Sequence, residues 1–372
     1  MLFAQDSMGL LLDSDEFTIK LADAIDAVVG PTGPIGLGGV ATPGYRLTLV
    51  TGTPVLVNDI SLFSTIFWTP WIHDQTPYFD GNVWTTRTPG ELRIDLDATN
   101  FVASKHYDVF YFNDGTDRIG YGPDWSQGLL NGNNTVGSAF RGSGAGSTEL
   151  QRVNGRWMNK NAITLRWSAS GSNTILANQA LYIGTAFATG NGQVSMLFNP
   201  TAASGGTSCV LHLYNAYNRV PMKSVNKDNV SSYALSSGVW QRINNSSANS
   251  IQYVDGLKES VVRASATAAG FINLGASVGA TGVYYTAIKA NWSSGESKES
   301  VGIEWFGQGA ADQWSGTCTP FTMANFAPLL GCNQIDYLEL GGVSAGATVT
   351  VYGSGWSSVV TQSIFTTLLV DM

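Results

Sequence analysis

A mainly β fold, built of antiparallel β-sandwich or jelly-roll-like domains with one short N-terminal helix, is what this sequence predicts. Three observations carry that expectation. Charged residues make up only 12% of the chain, against about 25% in an ordinary soluble domain. The polar positions are filled instead by 43 glycines and by Ser, Thr and Asn, residues that suit turns and strand edges and serve helix interiors poorly. Short runs of Val, Ile, Thr and aromatics recur, broken about every 8–12 residues by Gly, Asn or Asp, the rhythm of a sandwich or barrel.

The first element is the helix. Over residues 14–29 the apolar side chains Phe17, Leu21, Ile25 and Val28 return at helical spacing, Asp15 and Glu16 occupy the first turn, and Gly30-Pro31 ends the pattern. One apolar stripe needs a partner, whether symmetry mates, a neighbouring protein or the chain's own domain. Gly30, Gly33 and Gly36 follow at every third position, a spacing compatible with three chains meeting on an axis or with a plain Pro/Gly linker. Residues 1–47 therefore read as an anchor segment, with Phe17, Leu21, Ile25 and Val28 as its oligomer contacts.

The strands come next. Tyr107 to Phe112 precedes Asn113-Asp114-Gly115, Leu181 to Ala188 precedes Gly190-Asn191-Gly192, and Ala347 to Tyr352 precedes Gly353. Asp80-Gly81 and Asn154-Gly155 are hairpin dipeptides. A turn-rich stretch from Gly128 to Gly146 places an expected boundary between a β module at 48–135 and a C-terminal β-sandwich region at 136–372.

Composition also excludes functions. With 19 Lys plus Arg against 27 Asp plus Glu, the net charge of -8 offers no electrostatic footprint for nucleic acid. Cys209, Cys318 and Cys332 are an odd set without C-x-x-C spacing, which predicts neither a disulfide framework nor a zinc site. The N-terminus lacks a basic signal-peptide region, and no apolar run reaches the roughly 20 residues of a membrane span.

Catalytic patterns are sparse. Gly275-Ala276-Ser277-Val278-Gly279 matches G-x-S-x-G, but a nucleophile elbow needs a helix after it, and Val283 to Ile288 reads as strand. His73, His106 and His212 stand far apart with no metal-binding spacing. No catalytic residue, metal ligand or cofactor is expected. The one place for saccharide contact is Glu304, Trp305, Asp312 and Trp314, where carboxylates sit among rings that stack on sugars.

A set of motifs resembles a family of tailed-bacteriophage virion structural proteins from phages and prophages of Proteobacteria. They are Ile66-Phe67-Trp68-Thr69-Pro70, Tyr78-Phe79-Asp80-Gly81, Tyr107-Asp108-Val109-Phe110, the Arg141 to Leu150 run, Val153-Asn154-Gly155 and Tyr182-Ile183-Gly184-Thr185. The most telling is Asn215-Ala216-Tyr217-Asn218-Arg219-Val220-Pro221, followed by Tyr337-Leu338-Glu339-Leu340 and Gly346 to Gly353. The resemblance implies a non-enzymatic virion protein of the tail-fibre, tail-spike or head-spike type. The helix stripe and the glycine triplets, which lie outside the resemblance, add the expectation of a homo-oligomer, most simply a trimer, joined to other virion proteins through the N-terminal segment, and an appendage of that type would meet host cell-surface polysaccharide. Two rival readings stand beside it, a capsid decoration protein and a polysaccharide-degrading tailspike. The motifs themselves read as scaffold: Asn215, Asn218 and Arg219 carry forked hydrogen-bonding groups suited to fastening one part of a chain to another.

Overall fold

The computed structural model describes residues 42–126, 139–235, 238–273, 281–292, 300–307, 315–318, 320–343, 348–352 and 365–372. Within them the protein is mainly β, with antiparallel sheets that include a half-barrel and form a β-sandwich architecture. The only helical element described is a single turn at Ile243–Asn245. The predicted helix at 14–29, with Phe17, Leu21, Ile25 and Val28, lies outside the described residues.

One eight-stranded sheet is centred on His106–Asn113, which pairs with Asp117–Asp124 on one side and Leu181–Phe187 on the other. Seven of its eight residues are buried, because both faces of the strand are covered and every side chain in HYDVFYF must find an interior partner. Phe110, Phe112, Ile163, Leu165, Ile175, Ala180 and Tyr182 form the core on one face, with Trp157 and Trp167 at its margin. On the other face Trp68 stacks with Tyr45 at 4.4 Å and meets Tyr111 at 5.2 Å.

A second eight-stranded sheet runs through Ser250–Asp255, Gly331–Val343, Thr281–Ala290 and Ser300–Gly307. Its strand Cys209–Leu211 pairs in parallel with Ser250–Asp255, which departs from the expected all-antiparallel pattern. Parallel neighbours require a long crossover rather than a hairpin, and the chain between them supplies one by contributing strands to other sheets. A four-stranded sheet of Pro221–Lys227, Phe365–Asp371, Val262–Thr267 and Phe321–Phe326 keeps the alternation expected of a half-buried surface. In Pro221–Lys227, for example, Met222, Ser224 and Asn226 turn inward while Pro221 and Lys223 are exposed.

Both turn dipeptides fall in hairpin turns, Asn154-Gly155 as a two-residue turn and Asp80-Gly81 as the start of a four-residue loop. Asn154 (φ 50°) and Gly155 (φ 82°) close the two-residue hairpin between Leu150–Val153 and Arg156–Asn159, the left-handed pair that a type I′ turn demands. Asp80 caps the Thr76–Phe79 hairpin by accepting the Asn82 and Val83 N–H groups at 2.8 Å each.

Residues 41–372 form one compact unit. The boundary expected at 135/136 divides no sheet: His106–Asn113 and Asp117–Asp124 from before it share a sheet with Ile163–Arg166 and Leu181–Phe187 from after it. The boundary itself lies outside the described residues, and the strands on either side of it pair with one another. The 1–47 segment likewise overlaps this unit, since Tyr45–Thr48 is already a strand.

Candidate functional site

The residues that carry the resemblance meet in a buried polar seam. Asp108 projects from the central strand with no exposed side-chain surface, and the Arg141 guanidinium grips it in a fork, Nε donating at 2.6 Å and Nη2 at 3.1 Å. The same Nη2 donates to the Gly256 carbonyl at 2.6 Å, and the Thr185 hydroxyl donates to Asp108 at 2.7 Å. Tyr182 and Thr185 share a further hydroxyl bond of 2.7 Å, while Arg141 lies 4.5 Å from the Trp125 ring centre. Burial disfavours the charge on Arg141, but the adjacent Asp108 outweighs it and holds the guanidinium more firmly protonated than usual. Gly142, Gly144 and Gly146 all take positive φ, so the run following Arg141 bends where other residues would be strained.

A second cluster fastens the first strand. Leu47 N–H donates to Asn215 Oδ1 at 2.6 Å, and Asn215 Nδ2 returns a bond to the Leu47 carbonyl at 3.3 Å, so one amide side chain stands in for a strand neighbour. Asn218 Nδ2 donates to the Pro43 and Tyr45 carbonyls at 2.6 and 3.1 Å. Arg46, 1% exposed, donates to the carbonyls of Pro54 and Met372 at 2.9 Å each, and also to that of Asn218. Burial pushes its pKa down to about 10. Arg219 reaches Tyr214 Oη and Glu259, each at 3.3 Å. Asn215, Asn218 and Arg219 are thus fasteners, as their forked groups suggest.

Of the expected saccharide contacts, Glu304 and Trp305 occupy the strand Ser300–Gly307, paired with Tyr284 and Val283. Asp312 and Trp314 lie outside the described residues, as does the Gly275 to Gly279 motif. The histidines have separate structural partners: His106 Nε2 accepts the Cys332 N–H at 2.7 Å and its ring stacks on Trp125, while His212 shares a 2.9 Å bond with Thr189 and is pushed down to about 3 by burial. His73 Nδ1 accepts the Gln75 N–H at 3.2 Å. Cys209 and Cys332 are buried free thiols. Among the described residues no group of three or more His, Cys, Asp or Glu is placed to hold a metal, and no helix is long and apolar enough to cross a membrane.

Sequence reading passed over two features. The first is a set of buried acids. Glu339, fully buried, accepts bonds from Tyr233 Oη at 2.5 Å, Gln241 Nε2 at 3.0 Å and Asn244 N at 2.9 Å. Burial pushes its pKa up to about 7 against the pull of these donors. Asp336, on the same strand, is paired with Arg242 at 2.6 Å, and burial raises its pKa too. A charged residue inside an apolar run was the available signal, but its partners come from distant segments.

The second feature is a polar cleft of about 320 Å³ over the strands Asp117–Asp124 and Ile163–Arg166, lined by Asn100, Tyr121, Pro123, Asp124, Thr164 and Arg166. At one end Lys105 pairs with Asp124 at 3.0 Å.

No family model matches the chain, and no curated protein matches it. Among solved structures, the insecticidal delta-endotoxin Cry8Ea1 from Bacillus thuringiensis is 7% identical, over 88% of this chain and 51% of that one, with a TM-score of 0.19. A structure of carbohydrate-binding modules from the β-sandwich superfamily is 12% identical, over 84% and 97%, with a TM-score of 0.14. The Bacillus thuringiensis Cry1Da tryptic core variant is 9% identical, over 90% and 53%, at 0.12. The chain spans about half the length of the two toxins. Likenesses this slight define neither family nor function.

Proposed function

We propose that the chain is a non-enzymatic structural protein of a tailed-bacteriophage particle, an oligomeric and most simply trimeric surface appendage of the fibre or spike type that contributes to host attachment. Its N-terminal segment joins it to other virion proteins, and the β unit faces outward. One observation supports this reading beyond the resemblance itself: motif residues far apart in sequence are spent on holding the fold together. Asp108, Arg141 and Thr185 close one buried seam, and Asn215 and Asn218 fasten the Pro43 to Thr48 segment. Residues held by internal bonds serve rigidity, which is what an appendage exposed outside the cell needs.

The test is physical association. Particles released from cells that encode the chain are banded on a density gradient and their proteins identified by mass spectrometry. The chain is expected in the particle band at a fixed ratio to the major capsid protein. Recovery only from the soluble fraction contradicts the proposal.

A further inference from the structure

We propose that the cleft over Asp117–Asp124 and Ile163–Arg166 is a binding site for a single carboxylated sugar, a uronic acid unit of an acidic polysaccharide. The inference stands whether or not the chain belongs to a virion.

Charge is the first argument. Arg93, Arg118, Arg141, Arg152, Arg219 and Arg242 are each paired with a carboxylate, Arg46 is held by backbone carbonyls, Arg87 and Arg156 lie over aromatic rings, and Arg263 stands exposed on its strand. Arg166, half-buried in the cleft wall, has no ion pair or side-chain hydrogen bond among the described residues. A guanidinium presenting an unused planar fork is suited to a carboxylate, which it binds through two parallel bonds.

The far end of the cleft sets the rest of the ligand. Arg166 stands opposite Tyr121 in the antiparallel pairing, and Asp124 lies three residues further along that strand, about 10 Å away at the rise of an extended chain. Asp124 offers no partner to a second negative charge there, which disfavours a dicarboxylate. Its own charge is matched by Lys105 at 3.0 Å, so an ammonium group is not favoured either. What suits Asp124, Asn100 and the Thr164 hydroxyl is a set of neutral hydroxyls that both donate and accept. Between the two ends the Pro123 ring offers an apolar surface for the C–H face of a pyranose. A volume of about 320 Å³ lies at the small end of the range for ligand sites and suits one or two rings rather than a long oligomer.

The experiment titrates the full chain with sodium glucuronate, glucose and sodium acetate, read by saturation-transfer NMR on the ligand protons. Glucuronate is expected to bind, with glucose and acetate each weaker by about tenfold, the scale of one lost charge-assisted bond or of the lost hydroxyl contacts. Arg166→Gln should weaken glucuronate by about tenfold and Thr164→Val by a few-fold. Arg93→Gln, at an arginine side chain 66% exposed, should leave binding unchanged. Glucuronate binding undiminished in Arg166→Gln overturns the proposal, as does glucose or acetate binding equally well, or no glucuronate binding at all. Should Arg166→Gln lose its cooperative melt, Arg166→Lys carries the comparison: it keeps the charge but not the fork, so weakened binding supports the site and unchanged binding overturns it.

Discussion

Asp108 accepts three bonds in a place with no exposed surface, and its negative charge is what keeps Arg141 at home in the interior. Removing one partner of such a pair costs more than the pair contributes, because the survivor is left charged and unsolvated. Asp108→Asn should therefore destabilise the protein by about 3–5 kcal/mol in chemical denaturation, with part of the loss recovered when Arg141→Met is added. A cost near zero for the single substitution would show that water reaches the seam. Glu339 makes the opposite electrostatic bargain. Its folded pKa, pushed up to about 7 from 4.5 by burial, means that the native state holds a proton the unfolded chain has released. Its stabilising contribution is thus full below pH 4.5 and is lost as the pH rises through about 7, a fall on the order of 3 kcal/mol. Asp80, Asp97, Glu91 and Glu149, all shifted downward, slope the other way. The readout is therefore the difference between wild type and Glu339→Gln, whose denaturation midpoints should diverge between pH 5 and 8. Parallel pH profiles would contradict the assignment.

At the scale of elements, the strand Leu181–Phe187 organises the molecule. It pairs with His106–Asn113, Arg156–Asn159 and Leu213–Asn215, and its pairing with the first of these shifts between Tyr182 and Gly184. Gly184 is required there by contact rather than by dihedral angle: a Cβ would overlap the Tyr214 carbonyl and the Leu47 side chain. Gly184→Val should lower the melting temperature by several degrees, consistent with roughly 1–3 kcal/mol of overpacking. Gly238, exposed, without a positive φ and with open space where a Cβ would stand, should accept Ala with little change, and equal melting of the two variants would contradict this account. The hairpins were legible because Asn-Gly and Asp-Gly impose their geometry locally on runs that alternate with period two. The parallel pairing of Cys209–Leu211 with Ser250–Asp255 was not, since nothing near either strand encodes it. Nor were Glu339 and Asp336, because a charged residue within a strand reads as outward-facing until its donors arrive from other elements. The Arg166 cleft escaped for the same reason, its lining being drawn from four separate stretches of chain.

For the whole molecule, the fold class followed from composition and strand rhythm, and the residues on either side of the expected 135/136 boundary share a sheet. Sheets that cross this position couple the two regions into one unit. The central claim is that this unit faces outward on a phage particle. The most direct measurement is immunogold electron microscopy of intact, gradient-purified particles, with antibodies raised against residues 41–372. The account predicts gold at the periphery of intact particles, at regular positions on the tail or head surface. Gold confined to disrupted particles, or absent from particles while free protein in the same lysate is labelled, would contradict it.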